Sequence, residues 1–229
     1  FKQEGTNFTD SLIVGHSTTG TLDAAQDNTG VGIDALDALT TGDNNTAVGS
    51  SAGSALAAGA GNTYIGSLAG ALANGNNNVA VGFQAFATDA GTNSYWNVAV
   101  GYNSLYDSGV SSVAAVGNTA LGKDAGYNNT SGDRNLFLGL DAGQNITTGS
   151  GNIIIGTADA AAADSARTCK IVSYDGSSTT NHFISDSSGN VTLSGDLTVS
   201  GDDITMGTNT SGAALIADGT NFNPVVISG

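Results

Sequence analysis

Apolar residues along this chain come in short clusters, and the clusters return at a fixed interval. Each consists of Asn, one or two small or apolar residues, an aliphatic residue and Gly. The phrase is read from Asn28 to Gly32, Asn45 to Gly49, Asn62 to Gly66, Asn78 to Gly82, Asn97 to Gly101, Asn118 to Gly122, Asn135 to Gly139 and Asn152 to Gly156, with a degenerate copy from Ser11 to Gly15. Gly15, Gly32, Gly49 and Gly66 are 17 residues apart, as are Gly122, Gly139 and Gly156. A constant period of this length predicts stacking of one repeated unit rather than a unique core.

Within a unit such as 45–61, residues 46–48 predict a strand of about three residues. The branched column Val31, Val48, Ile65, Val81, Val100, Leu121, Leu138 and Ile155 is expected to form the buried seam that closes each coil. Strand alternation then sends the preceding column (Ala47, Tyr64, Ala80, Ala99, Ala120, Phe137, Ile154) to the opposite face, where it would meet a neighbouring chain. Ala35, Ala52, Ala69, Ala85, Ala125 and Ala142, with Ser104 as the exception, suit a tight coil interior. Turn residues such as Thr40-Thr41-Gly42-Asp43-Asn44 return the chain to its start. The expected fold is all-β: a parallel β-roll or β-solenoid of about nine rungs of ~17 residues, a rod about 40 Å long at ~4.8 Å per rung. The recurring Asn side chains fall in register and predict an amide ladder along the axis; ligand binding by these Asn is the sharper alternative.

Composition narrows the picture. With 34 Gly but 7 Phe, 6 Tyr and one Trp, an ordinary bulky core is not available, whereas a thin interior of Ala, Val and Ile is. The periodic placement of apolar residues excludes a disordered linker. A net charge of −15 with 5 Lys and Arg argues against nucleic acid and bare anionic lipid. No apolar run reaches the roughly 18 residues of a membrane span, so no membrane insertion is expected. The single Cys169 excludes an intrachain disulfide. The chain starts at Phe1 without Met or a secretory leader, and reads as a fragment or processed product.

Asn45-Thr46-Ala47-Val48-Gly49-Ser50-Ser51-Ala52 and Asn118-Thr119-Ala120-Leu121-Gly122-Lys123-Asp124-Ala125 resemble the head repeats of trimeric autotransporter adhesins. The 17-residue version, with Thr-Thr-Gly before the next Asn, is more similar to repeats in tail and head fibres of tailed bacteriophages. The likeness covers about two thirds of the chain. It implies a homotrimer of parallel β-rolls and a non-enzymatic structural and adhesive fibre of a virion, contributing to host-cell attachment. Its partners would be further copies of itself, possible end-to-end neighbours, other virion proteins and a host surface glycan or protein. The long period, and the lack of the adhesins' neck motif, heptads and anchor, favour phage over the alternative of a bacterial surface adhesin.

The expected organisation is a repeat β-roll over 1–157, a connector over 158–185 and a β-shaft segment over 186–229. The Ala-rich stretch 159–166 reads as a turn or two of helix or a flexible joint. Val191, Leu193, Leu197, Val199, Ile204 and Met206 recur at alternate or near-alternate positions between Gly195, Gly201 and Gly207, as short shaft strands would. Gly219-Thr220-Asn221-Phe222 repeats Gly5-Thr6-Asn7-Phe8, which suggests a segment of a longer modular fibre.

Catalytic signatures dissolve on inspection. Gly49-Ser50-Ser51-Ala52-Gly53 has the Gly-x-Ser-x-Gly form of a hydrolase elbow, but its equivalents read Gly66-Ser67-Leu68-Ala69-Gly70 and Gly122-Lys123-Asp124-Ala125-Gly126. Gly30-Val31-Gly32-Ile33-Asp34-Ala35 lacks the βαβ context of a dinucleotide loop. A polysaccharide-cleaving tailspike would need a carboxylate pair that breaks the repeat, and none stands out. An ice-binding solenoid would need an unbroken Thr face, whereas Thr29, Thr46, Thr63 and Thr119 alternate with Val79 and Leu136. His16, His182 and Cys169 do not make a zinc set, and no cofactor is expected. Structural calcium at acidic turns such as Asp202-Asp203 or Asp186-Ser187-Ser188-Gly189-Asn190 is a minor alternative. Asn-x-Ser/Thr triplets at Asn7, Asn44, Asn128, Asn129, Asn145 and Asn209 follow from composition.

One irregularity points to function. Between Gly82 and Gly122 the period stretches to 19 and then 21 residues, and insertions in a solenoid leave as loops. Tyr95, Trp96, Tyr102 and Tyr106 are assigned to this region as candidate receptor or glycan contacts, since exposed aromatic rings stack on sugars. The other reading, and the more ordinary one, is that these rings plug the trimer interface or cap the rungs.

Overall fold

The computed structural model describes residues 2–5, 8–15, 23–88, 94–109 and 115–195. Eight three-residue strands, β4 (Thr29–Val31), β5 (Thr46–Val48), β6 (Thr63–Ile65), β7 (Val79–Val81), β8 (Val98–Val100), β9 (Thr119–Leu121), β10 (Leu136–Leu138) and β11 (Ile153–Ile155), stack in sequence order, parallel and in register. Thr46 pairs with Thr63, Ala47 with Tyr64 and Val48 with Ile65. The stack begins on β2 (Phe8–Val14), which also pairs with β1 (Lys2–Gly5) and β3 (Ala25–Gln26). The described chain is all-β, without a helix, as the 17-residue period predicts.

The two faces of the strands are exchanged relative to the sequence expectation. The middle column lies inside the coil: Ala47, Tyr64, Ala80, Ala99, Ala120, Phe137 and Ile154 are completely buried. The branched third column, expected as the seam, faces outward, with Val48 38% and Leu121 48% exposed. In a three-residue strand the first and third side chains share a face and the middle one stands alone. The narrow interior takes a single column from each strand, and a branched residue in every rung would overfill it.

The remaining interior is the Ala column from Ala35 to Ala142, with Ser104 donating its hydroxyl to the Ala120 carbonyl at 3.1 Å, plus residues such as Leu39, Leu56 and Ile146. Packing alternates in size between rungs. The Tyr64 ring lies between Gly53 and Gly70, where an added Cβ would stand 2.9 and 2.7 Å from the ring. Phe137 lies likewise between Gly126 and Gly143. Where the strand residue is Gly30, Ala80 or Ala99, the position equivalent to these glycines carries buried Leu36, Phe86 or Leu105.

The turn after each strand is shaped by backbone conformation. Residues two and four places beyond the closing Gly are left-handed, as in Ser51 (φ 56°) and Gly53 (φ 59°) or Asp124 (φ 54°) and Gly126 (φ 61°). Their N–H groups therefore point along the axis: Ser51 donates back to Ile33 and Gly53 donates forward to Ala69. Inter-rung hydrogen bonding thus continues through the turns, offsetting the cost of about 1–2 kcal/mol for each non-Gly left-handed residue. Ser51 shares its conformation with Asp34, Leu68, Gln84, Asn103 and Asp141, so the hydrolase-like phrase is one more turn of the repeat.

The Ala-rich stretch 159–166 is not a helix. It makes a further return of the coil, in which the Ala163 carbonyl accepts from Thr147, Thr148 and Gly149. The parallel stack then carries on into β12 (Cys169–Tyr174), with Ile155 opposite Ile171. β13 (Thr179–Ser185) and β14 (Val191–Leu193) complete an antiparallel meander from β12. Asp175 and Asp186 close its two turns by accepting from Ser177 and Ser178, and from Ser188 and Asn190. The Asp186 carboxyl is held below its usual range chiefly by the Asn190 side-chain amide, which donates to it at 2.7 Å, and the Asp175 carboxyl chiefly by the Ser178 N–H. The expected shaft residues beyond Gly195, the repeated Gly219–Phe222 module, Asp202-Asp203 and His16 lie outside the described residues.

Candidate functional site

Three features run along the solenoid. The first is the buried Asn ladder. Asn45 donates its backbone N–H and its Nδ2 to Asn28 Oδ1, both at 3.0 Å, and its Nδ2 also donates to the Gly59 carbonyl at 2.9 Å. The pattern repeats at Asn62, Asn78, Asn97, Asn118 and Asn152. Thr168 ends the series by donating its backbone N–H and its hydroxyl to Asn152 Oδ1. Buried amides so engaged have no capacity left for a ligand, and the ladder reading holds. Asn129, one of the glycosylation triplets, is also buried and bonds twice to Gly132.

The second feature is the outward stripe of the third strand position, with Val31, Val48, Ile65, Leu121 and Leu138 between 37% and 48% exposed. Thr29, Thr46, Thr63 and Thr119 share its face through the first strand position. One apolar side chain per rung, about 4.8 Å apart, makes a ridge, with Val81 and Val100 half-buried within it.

The third feature is aromatic and acidic. The residue after the closing Gly forms a column, Phe83, Tyr102, Lys123 and Leu140, in which Phe83 and Tyr102 stack at 5.4 Å and 17°. Lys123 Nζ lies 5.8 Å from the Tyr102 ring centroid. Four residues further along each rung, Tyr106 and Tyr127 stack at 5.0 Å and 10°. Between the columns Asp124 pairs with Lys123. That hydrogen bond is the main cause holding the Lys123 ammonium above its usual range. The Tyr127 phenol is raised by partial burial first, then by the negative charge of Asp107 and the proximity of Tyr106, Asp124 and Tyr102. These groups therefore converge on one surface.

The four aromatic residues assigned from sequence fall into two places. Tyr102 and Tyr106 belong to the surface just described. Tyr95 and Trp96 form their own tilted pair, centroids 6.1 Å apart, before strand β8. Trp96 is 66% exposed, yet it is not part of an inserted loop. It occupies the left-handed position just before the ladder Asn, equivalent to Asp27, Asn44, Asn77 and Arg134. Residues 89–93 and 110–114, within the two stretched intervals, lie outside the described residues. Phe83, Lys123, Asp124 and Tyr127 were missed from sequence, although aligning the rungs on their closing Gly places Phe83 with Tyr102 and Tyr106 with Tyr127.

Among the described residues no group of three or more His, Cys, Asp or Glu side chains is placed to hold a metal, and no helix is long and apolar enough to cross a membrane. Comparison with protein-family models, curated proteins and solved structures finds no significant match.

Proposed function

We propose that this chain is a segment of a non-enzymatic structural and adhesive fibre, assembled as a homotrimer and carried on a virion, where it contributes to host attachment. The observation that carries the assembly is the exposed apolar stripe, which runs from Val31 to Leu138. An apolar ridge repeating at the rung spacing is matched in period by a second copy of itself, and side-by-side packing of rungs would bury it along its whole length. The stripe contains no charge, so association there avoids the repulsion that a net charge of −15 would cause elsewhere. The buried Asn ladder, carried at the Asn118–Asn135 step by the backbone N–H, supports a stiff rod. The virion setting rests on the likeness of the Asn-x-x-aliphatic-Gly phrase and its 17-residue period to fibre repeats, and the adhesive role on the exposed aromatic surfaces. Host glycans or proteins, and neighbouring virion proteins, are the partners this reading implies.

Sedimentation of the native chain tests it. The expected mass is three times 22.4 kDa. Ile65→Asp together with Leu121→Asp should yield a folded monomer by circular dichroism, because both side chains point outward. A monomer from the unaltered chain would refute the stripe as an interface.

A further inference from the structure

Where the last rungs meet β12 and β13, the surface holds an open depression of about 450 Å³. Its walls include Asp141, Gln144, Asp159, Lys170, Thr179 and Asn181. We propose that this depression, continued along Asp124 and Lys123 to the tyrosine stacks, binds an uncharged oligosaccharide. The inference rests on the adhesive reading above and gives it a ligand class and a place.

Continuity between cavity and tyrosines follows from the rung geometry. Asp141 stands one rung beyond Asp124 at the same left-handed position, and its N–H donates to the Lys123 carbonyl at 2.9 Å. Gln144 stands one rung beyond Tyr127, and its carbonyl accepts from Asn128 Nδ2 at 2.8 Å. Successive sites therefore lie about 4.8 Å apart along the axis, close to the width of one pyranose ring, so adjacent sugars of a chain laid along the rod meet equivalent positions.

The lining selects the chemistry. Carboxylates at Asp141 and Asp159 accept from hydroxyls, Lys170 and the amides of Gln144 and Asn181 donate, and the Thr179 hydroxyl does both. Lys170 is already drawn to the Asp159 carbonyl at 3.0 Å, so its remaining N–H bonds are aimed from a fixed position. Asn181 is part of the wall, and its side-chain oxygen has no hydrogen-bond partner in the chain. The wall is too polar for an apolar ligand. An anionic ligand would face Asp124, Asp141 and Asp159 against only Lys123 and Lys170, within a chain of net charge −15. A neutral polyol satisfies the donors and acceptors without a charge of its own, and the rings of Phe83, Tyr102, Tyr106 and Tyr127 supply apolar surface for the sugar's C–H faces.

The test uses the full chain on an array of neutral and acidic glycans, followed by calorimetry with the best neutral binder. Asp141→Asn suits the left-handed backbone and removes the charged acceptor; Gln144→Ala removes a donor. The double variant should keep the native mass and melting temperature, yet bind the neutral glycan at least about tenfold more weakly. Binding of acidic glycans only, or of no glycan, overturns the inference, as does equal binding by the double variant. If the chain adsorbs to cells and the double variant adsorbs equally, the receptor site lies elsewhere and the adhesive reading stands; if neither adsorbs, both fall.

Discussion

Replacing Asn118 with Ala is expected to destabilise the solenoid by about 2–4 kcal/mol, the effect of orphaning buried hydrogen-bonding groups and leaving a cavity. Asn118 sits completely buried between Asn97 and Asn135. Its Oδ1 accepts the Asn135 N–H at 2.9 Å, while its Nδ2 donates to Asn97 Oδ1 and to the Gly132 carbonyl. Alanine leaves the Asn135 N–H without an acceptor in a place water does not reach. Asn118→Asp should be worse at neutral pH, because a carboxylate cannot donate to Asn97 Oδ1 or Gly132 and is buried beside both. Those effects would raise the folded-state pKa of the introduced carboxyl above its unfolded value of about 3.9. Stability would then be present below that unfolded value and lost as pH rises through the raised folded pKa, so the Asp variant should recover on acidification. Thermal melts at neutral and acidic pH, with the exposed Thr119→Ala as a comparison, read these differences. An Ala variant that melts with the parent would show that the ladder contributes nothing.

The ladder was legible in the sequence because Asn at a constant period has few other uses, and its neighbours 17 residues away are also Asn. The fold class was legible for the same reason. The orientation of the strand was not. Val48 and Ile65 are better apolar residues than Ala47, and hydrophobicity alone puts them inside; the structure puts Ala47 there because interior width decides, not affinity for the interior. The two large residues of the middle column, Tyr64 and Phe137, carried the missing signal. Each is flanked at the facing turn position by two Gly in adjacent rungs, a correlation that has meaning only if all three point inward. The aromatic surface was half legible: Tyr102 and Tyr106 were found by exposure and rarity, while Phe83 and Tyr127 needed alignment of rungs whose spacing is stretched to 19 and 21 residues. The depression beside β12 and β13 was not legible, since Asn181 and Thr179 reach it through an antiparallel return that no repeat announces.

The Gly and Phe pairing leads to the second large effect. Phe137→Ala should cost about 3–5 kcal/mol, as removal of a fully buried ring does. Gly143→Leu should be comparably damaging, since even a Cβ there would lie 2.2 Å from the Phe137 ring. Together the two substitutions should be far less harmful than their sum, because Ala in the strand with Leu at the turn is the arrangement already present as Ala99 and Leu105. The left-handed backbone does not forbid it: Leu105 occupies the same position at φ 49°. A double-mutant cycle measured by chemical denaturation should therefore show a coupling at the upper end of the roughly 0.5–3 kcal/mol seen for residues in contact. Additive losses would mean that each site is fixed by its own backbone and that the alternation of large and small residues is incidental. A strong coupling would mean that the rung is filled as a unit, so that the interior of this solenoid constrains the sum of two side chains rather than the identity of either.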